Sequence, residues 1–170
     1  MNKTASYENY PAWIVILSNL VSLGIYGLGF LITYSLGLVF AALYLVYILL
    51  FELRLIGRHC TNCYYRGKVC GFGKGKISSW FFKKGDISKF CDNEFTWKSM
   101  IPDLLITLMP LIIGIIILII DFDLLLLFFL LLLILLTTAG NGFVRGSMTC
   151  KHCKQKELGC PADSLFDKKN

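Results

Sequence analysis

Thirty-nine consecutive residues, Trp13 to Phe51, carry no charge. As one helix rising ~1.5 Å per residue they would extend roughly 58 Å, about twice a hydrocarbon layer of ~30 Å. A second, nearly uncharged block follows Ile101. No soluble core of this size hides two such runs. With 56% hydrophobic residues in 170, the composition excludes a soluble globular enzyme, a disordered tail and a nucleic-acid binder. It implies a small integral membrane protein without a large separate catalytic domain.

Each block is long enough for two spans. In the first, the glycines at 24, 27 and 29 mark the expected turn, giving helices over about 12–29 and 31–54. In the second, Ile101–Ile120 makes a third span. Asp121, Phe122 and Asp123 interrupt it, because charge is costly at membrane depth, and Leu124–Val144 makes a fourth. The first block is too long for a signal peptide and has no small-residue cleavage site after it, so it is read as retained.

Basic residues set the orientation. Ten Lys and Arg lie between Arg54 and Met100, six after Gly140, and none at either hairpin tip. Basic loops stay on the cytoplasmic side. The expected divisions are a cytoplasmic N-terminus (1–11), a first hairpin (12–54), a cytoplasmic cysteine-rich loop (55–100), a second hairpin (101–144) and a cytoplasmic cysteine-rich tail (145–170). The net charge of +6 is accounted for by this topology and by attraction to anionic headgroups, with no nucleic-acid meaning.

Six of the seven cysteines form two triplets of identical spacing, C-x2-C-x6-C: Cys60, Cys63, Cys70 and Cys150, Cys153, Cys160. They are 90 residues apart, nearly the offset between the two uncharged blocks. The fold class that follows is all-α and integral to the membrane. Its four transmembrane helices form two tandem hairpin repeats, each followed by a cytoplasmic triplet, with a pseudo-two-fold axis along the membrane normal.

A C-x2-C turn lets two sulfurs converge on one ion while the intervening amides point toward the thiolates. Structural zinc and iron–sulfur centres both use it. A third cysteine closes the far side after a loop, in which Gly67 and Gly159 permit tight turning. Nearby cations, Arg66 and Lys68 in one half and Lys151, Lys154 and Lys156 in the other, favour thiolate. The expected metal ligands are therefore Cys60, Cys63, Cys70, Cys91, Cys150, Cys153 and Cys160, holding zinc or an iron–sulfur cluster. Cys91 supplies a fourth ligand to the first triplet. For the second, His152, Asp163, a group from the first half, a partner or substrate are open alternatives. Cys60, Cys63, Cys150 and Cys153 sharing one ion on the pseudo-two-fold axis is another. His59 and His152 adjoin ligand positions and are left out of the set. Pro161 after Cys160 echoes ferredoxin cluster cysteines, but the rest of that run is missing.

In outline, four spans with C-x2-C and further loop cysteines resemble the bacterial quinone-linked disulfide oxidases and the vitamin K epoxide reductases. The likeness is architectural, with no local motif matched. It implies thiol–disulfide chemistry on the oxidising side of the membrane, whereas the basic loops here place the cysteines in the reducing cytoplasm. Plain apolar or palmitoylated cysteines are a further alternative.

Other features read as scaffold. Gly71–Lys76 is a flexible connector without a phosphate-loop fingerprint. Trp80, Phe81 and Phe82 with Lys83 and Lys84 are an interfacial anchor. Ser99 caps the third helix, with Pro102 and Asp103 in its first turn. Asn19, Ser18 and Ser22 act as interhelical glue. Gly37 and Ala41 form a close-packing seam on the second helix. No Ser-His-Asp set, carboxylate pair or H-E-x-x-H is present, so whether the protein is an enzyme stays open. The functional expectation is a membrane subunit or anchor for electron transfer or metal handling, with the bilayer and a protein partner as its contacts. A zinc-stapled docking protein is the alternative from a different class.

Overall fold

In the computed structural model, described for residues 6–87, 90, 97–158 and 160, the first uncharged block turns at Ser35–Gly37 rather than at the glycine cluster. Helix α1 runs Ala12–Tyr34 through Gly24, Gly27 and Gly29, and α2 runs Leu38–Leu55. Gly37 takes φ +118°, a conformation that glycine adopts at little cost, and its N–H donates to Tyr34 O at 2.8 Å. The chain continues from α2 through a π-helical turn, Ile56–Cys60, and later forms a short helix α3, Lys74–Phe81. Helix α4 spans Trp97–Ile120 and α5 Leu124–Leu135. Asp123 caps α5 by accepting from Leu125 N–H at 2.9 Å. Wide π-helical segments then carry the chain over Leu136–Gly140 and Gly142–Thr149 into a single 3-10 turn, Cys150–His152, and the one-turn helix α6, Lys154–Glu157.

Among the described residues, four helical stretches are long and apolar enough to cross a membrane: Ala12–Tyr34, Leu38–Cys60, Ile101–Ile120 and Leu124–His152. Among the described residues the regular structure is helical, with no strand beyond an isolated bridge. Because α4 begins at Trp97, Ser99 lies within the helix and is not its cap.

The chain divides into two compact units. One, the helical unit, comprises residues 20–52 and 97–142; the other, the cysteine unit, comprises residues up to 19, 53–96 and 143–170. In the helical unit, Ile25, Leu28 and Ile32 of α1 pack with Leu126, Leu130 and Leu133 of α5. These residues recur at three- and four-residue intervals, which puts each trio on one helix face. Small residues permit the closest approaches. Gly114 stands where a methyl group would strike Leu130 and Ile32, and Gly29 stands where one would strike the Tyr44 ring and hydroxyl. Between membrane helices, such close packing replaces the missing hydrophobic drive. The seam expected at Gly37 is absent, since Gly37 lies in the turn with open space around it.

Gly29 has a further consequence. It leaves room for the Tyr44 hydroxyl, which donates to the carbonyl of Ile106 at 2.9 Å. That carbonyl would ordinarily accept from residue 110, but residue 110 is proline and has no N–H. Tyr47, one turn along α2, donates to Pro102 O at 2.9 Å. Two tyrosines thus supply hydrogen bonds to carbonyls of a helix interrupted by Pro102 and Pro110. Tyr44→Phe is expected to orphan a buried carbonyl and cost about 1–3 kcal/mol. Gly29→Ala is expected to cost a similar amount by displacing the same hydroxyl. Unfolding in a mild detergent, followed by circular dichroism, measures both.

Candidate metal centre

The first triplet begins on the last residue of the π-helical turn Ile56–Cys60, and the second begins directly after the π-helical segment Gly142–Thr149. Such turns are rare and favour functional sites. Within the triplets the same three main-chain hydrogen bonds occur at an offset of 90. Cys63 N–H donates to Cys60 O at 3.4 Å, as Cys153 N–H does to Cys150 O at 3.2 Å. Arg66 N–H donates to Cys63 O and Lys156 N–H to Cys153 O, each at 3.1 Å. Lys68 N–H donates to Tyr65 O at 2.9 Å, and Leu158 N–H to Gln155 O at 3.2 Å. Gly67, at φ +80°, turns the first loop as its sequence position suggests.

The two turns also bind each other reciprocally. Tyr64 N–H donates to Gln155 Oε1 at 2.8 Å, and Lys154 N–H donates to the Tyr65 hydroxyl at 3.0 Å. Tyr64 and Lys154 hold the same place in their triplets, as do Tyr65 and Gln155. Tyr65 and Gln155 are almost fully buried, at 2% and 1% exposure.

A short N-terminal segment laces the two turns together. Tyr7 forms a parallel bridge with Cys153, its N–H donating to His152 O at 3.0 Å and its carbonyl accepting from the Tyr65 hydroxyl. Asn9 accepts from Val69 N–H, Tyr10 N–H donates to Val69 O, and the Tyr10 hydroxyl donates to Thr149 O at 2.6 Å. Glu8 pairs with Lys68 and Lys154 and accepts from the Tyr64 hydroxyl. Being exposed, these ion pairs add little; the main-chain bonds and tyrosine rings set the geometry. Tyr10, Ile14 and Tyr65 form the core of the unit, and Cys63, Cys70 and Cys153 pack against it.

Main-chain amides point at the sulfurs. The expected donors were those between the paired cysteines. The donors found lie just beyond the second cysteine: Tyr65 N–H to Cys63, and Gln155 and Lys156 N–H to Cys153. Gly75 N–H donates to Cys70 Sγ at 3.3 Å. Burial pushes the Cys63 thiol up to about 12, partly offset by the Tyr65 amide, while Cys153, Cys70 and Cys160 push it further up. Burial likewise pushes Cys153 up to about 11, with the Gln155 and Lys156 amides opposing and Cys150 and Cys160 reinforcing. Burial also holds the Tyr10 hydroxyl far above the usual tyrosine range, with the thiols of Cys153 and Cys150 adding to the effect. Thiols from both triplets therefore act on one another.

The six described cysteines, at positions 60, 63, 70, 150, 153 and 160, are partly buried, and no disulfide joins any of them. As they stand, no three Cys, His, Asp or Glu side chains among the described residues are gathered tightly enough to hold an ion. The donor set itself suits a soft metal: thiols in an apolar, tyrosine-lined site, with amide donors to match their charge once ionised. Cys91, Gly159, Pro161 and Asp163 lie outside the described residues. The His152 ring packs on Tyr7 at 5.2 Å and the His59 ring lies edge-on to Phe90 at 6.5 Å.

Tyr7, Glu8, Tyr10, Tyr65 and Gln155 escape a reading of the sequence by motif. For Tyr65 and Gln155 a signal existed, since both follow a C-x2-C pair by two residues. Asn19 is also reassigned: its amide donates to Val15 O and to Phe72 O, holding the loop before α3. Compared with known proteins, the chain matches no family model, no curated protein and no solved structure.

Proposed function

We propose that this is a four-span membrane protein whose two cysteine triplets close on one shared thiolate-ligated metal centre, zinc or iron–sulfur. The centre serves electron transfer or metal handling beside the bilayer, within a larger membrane assembly. The positive-inside count places it on the cytoplasmic side. One observation carries the reading: the reciprocal bonds Tyr64 N–H to Gln155 and Lys154 N–H to Tyr65. They join corresponding points of the two C-x2-C turns, as a two-fold axis between them requires. That favours the shared centre over two separate ones. Closing the ligand set needs cysteine side chains to turn onto the ion while the hydrogen-bonded turns stay in place.

A purely structural staple is less well supported. The tyrosine core and the N-terminal segment bind both triplets by packing and main-chain hydrogen bonds, so a metal staple is not the only means of joining them. Thiol–disulfide exchange also fits less well, since it needs a ready thiolate, and burial of Cys63 and Cys153 opposes one. A bound cation reverses that balance.

Anaerobic purification with iron, sulfide and zinc analysis tests the proposal. One centre per chain is expected. A broad visible band with iron and sulfide assigns electron transfer, whereas colourless protein with stoichiometric zinc assigns metal handling or structure. Metal-free protein with a reducible disulfide overturns the proposal. The metal-free, reduced form should also be alkali-labile. Both thiols are raised in the folded state above the ordinary value of 9.0, so their stabilising effect is complete below that pH. It is lost as pH rises through about 11 and 12. Denaturation at stepped pH reads the loss, and saturation with metal should abolish it.

A further inference from the structure

Helix α3 faces the opposite way from an ordinary surface helix. Its buried residues are the small ones: Gly75, and Ser78 one turn on at 0% exposure. Gly75 N–H donates to Cys70 Sγ, and Ser78 Oγ donates to Gly75 O at 2.9 Å and to Cys60 O at 3.4 Å. The opposite face carries Ile77, Trp80 and Phe81 at i, i+3 and i+4, one continuous stripe. It is exposed, Trp80 at 72% and Phe81 at 76%. A helix with its small face inward and its large apolar face outward has its second partner outside the unit.

Charge identifies that partner. Lys74 to Lys84 contains four lysines and no acidic residue. Lys76, Lys83 and Lys84 are exposed beside the stripe. Aromatic rings flanked by lysines match a lipid headgroup layer, in which rings sit among glycerol and acyl groups and ammonium groups meet phosphate. The same chain carries helical stretches long and apolar enough to cross a membrane, and one of them, Leu38–Cys60, ends fourteen residues before α3, so a short helix suffices.

We infer that α3 is a membrane-surface helix: its Ile77–Trp80–Phe81 stripe seats in the headgroup layer and its lysines bind anionic lipid. Its inner face grips Cys60 and Cys70, so the lipid surface also steadies the first cysteine turn. None of this depends on which metal, if any, the thiols hold.

The test uses the full chain in lipid nanodiscs, with Trp13→Phe and Trp97→Phe leaving Trp80 as the sole tryptophan. Lipids brominated on their acyl chains should quench Trp80 several-fold more strongly than aqueous iodide. Replacing part of the phosphatidylcholine with phosphatidylglycerol should shift its emission to shorter wavelength. Lys76→Gln, Lys83→Gln and Lys84→Gln together should remove that shift. Quenching by iodide alone places the stripe in water, and protection from both quenchers places a protein over it; either overturns the inference. If the double tryptophan variant misfolds, the difference in bromolipid quenching between the unaltered chain and Trp80→Ala gives the same readout. No difference there overturns the inference too.

Discussion

Replacing Cys153 with serine is expected to empty the whole of the proposed centre rather than half of it. Two independent centres, one per triplet, would leave the first intact. A shared centre loses a ligand that Cys63 and Cys70 cannot replace from their side of the axis. Serine is nearly isosteric, and the bonds of this position to Tyr7 and Cys150 run through the main chain, so the turn survives. Altering groups that merely orient a ligand costs about 10–100-fold in metal affinity, so loss of a ligand should cost at least about a hundredfold. Metal per chain after gel filtration should fall to near zero for Cys153→Ser and equally for Cys63→Ser, with Cys60→Ser and Cys150→Ser behaving as a matching pair. Retention of half the metal shows two separate centres, and full retention shows that these thiols are not ligands.

Gly75→Ala is the second large effect. The added methyl group would meet the carbonyl oxygens of Tyr65 and Lys68, all main chain, with no flexible side chain to step aside. Gly75 O in turn accepts from Gly67 N–H at 2.9 Å, so α3 cannot slide without pulling the loop of the first triplet. Overpacking of this kind costs about 1–3 kcal/mol even where side chains give way. Here the cost should reach or exceed the top of that range, and Cys70 should lose its amide donor. Thermal denaturation with metal analysis should show a lowered midpoint and weakened metal retention. Gly27→Ala is the control: nothing lies within 4 Å of the added methyl, and alanine suits a helix better. A Gly75→Ala protein as stable as the Gly27→Ala control would refute the packing account.

What was legible in the sequence follows from what each signal measures. Uncharged length reports the capacity to cross a membrane, and the described residues form four helical stretches long and apolar enough to do so. Glycine reports two different things. Gly24, Gly27 and Gly29 look like a turn, yet the helix runs through them, because Gly29 is small for the sake of Tyr44 and the real turn needs only Gly37. The loop Gly71–Lys76 looks like a loose connector for the same reason. In fact Asn19 holds it by Phe72, and Gly75 fits tightly against the first triplet. Cysteine spacing locates the chemistry but not its supports. Tyr7, Tyr10 and Tyr65 belong to no motif, and their role depends on contacts across more than fifty residues of sequence, which periodicity does not register. The link from Pro110 to Tyr44 was hidden in the same way, since a proline names the orphaned carbonyl but not the donor that reaches it.

The bridge between Tyr7 and Cys153 sets an order of events during synthesis. Tyr7 leaves the ribosome well before its hydrogen-bonding partner, the carbonyl of His152, which is made 145 residues later. Until then the segment that laces the two triplets has only half its anchorage. A nascent chain can insert its first hairpin and expose its first three thiols, but it cannot complete the enclosure around them. A chain translated only as far as the first triplet would lack the second turn against which Tyr7 and Tyr65 pack, so the shelter around Cys63 and Cys70 is completed only when the turn at Cys153 has been made.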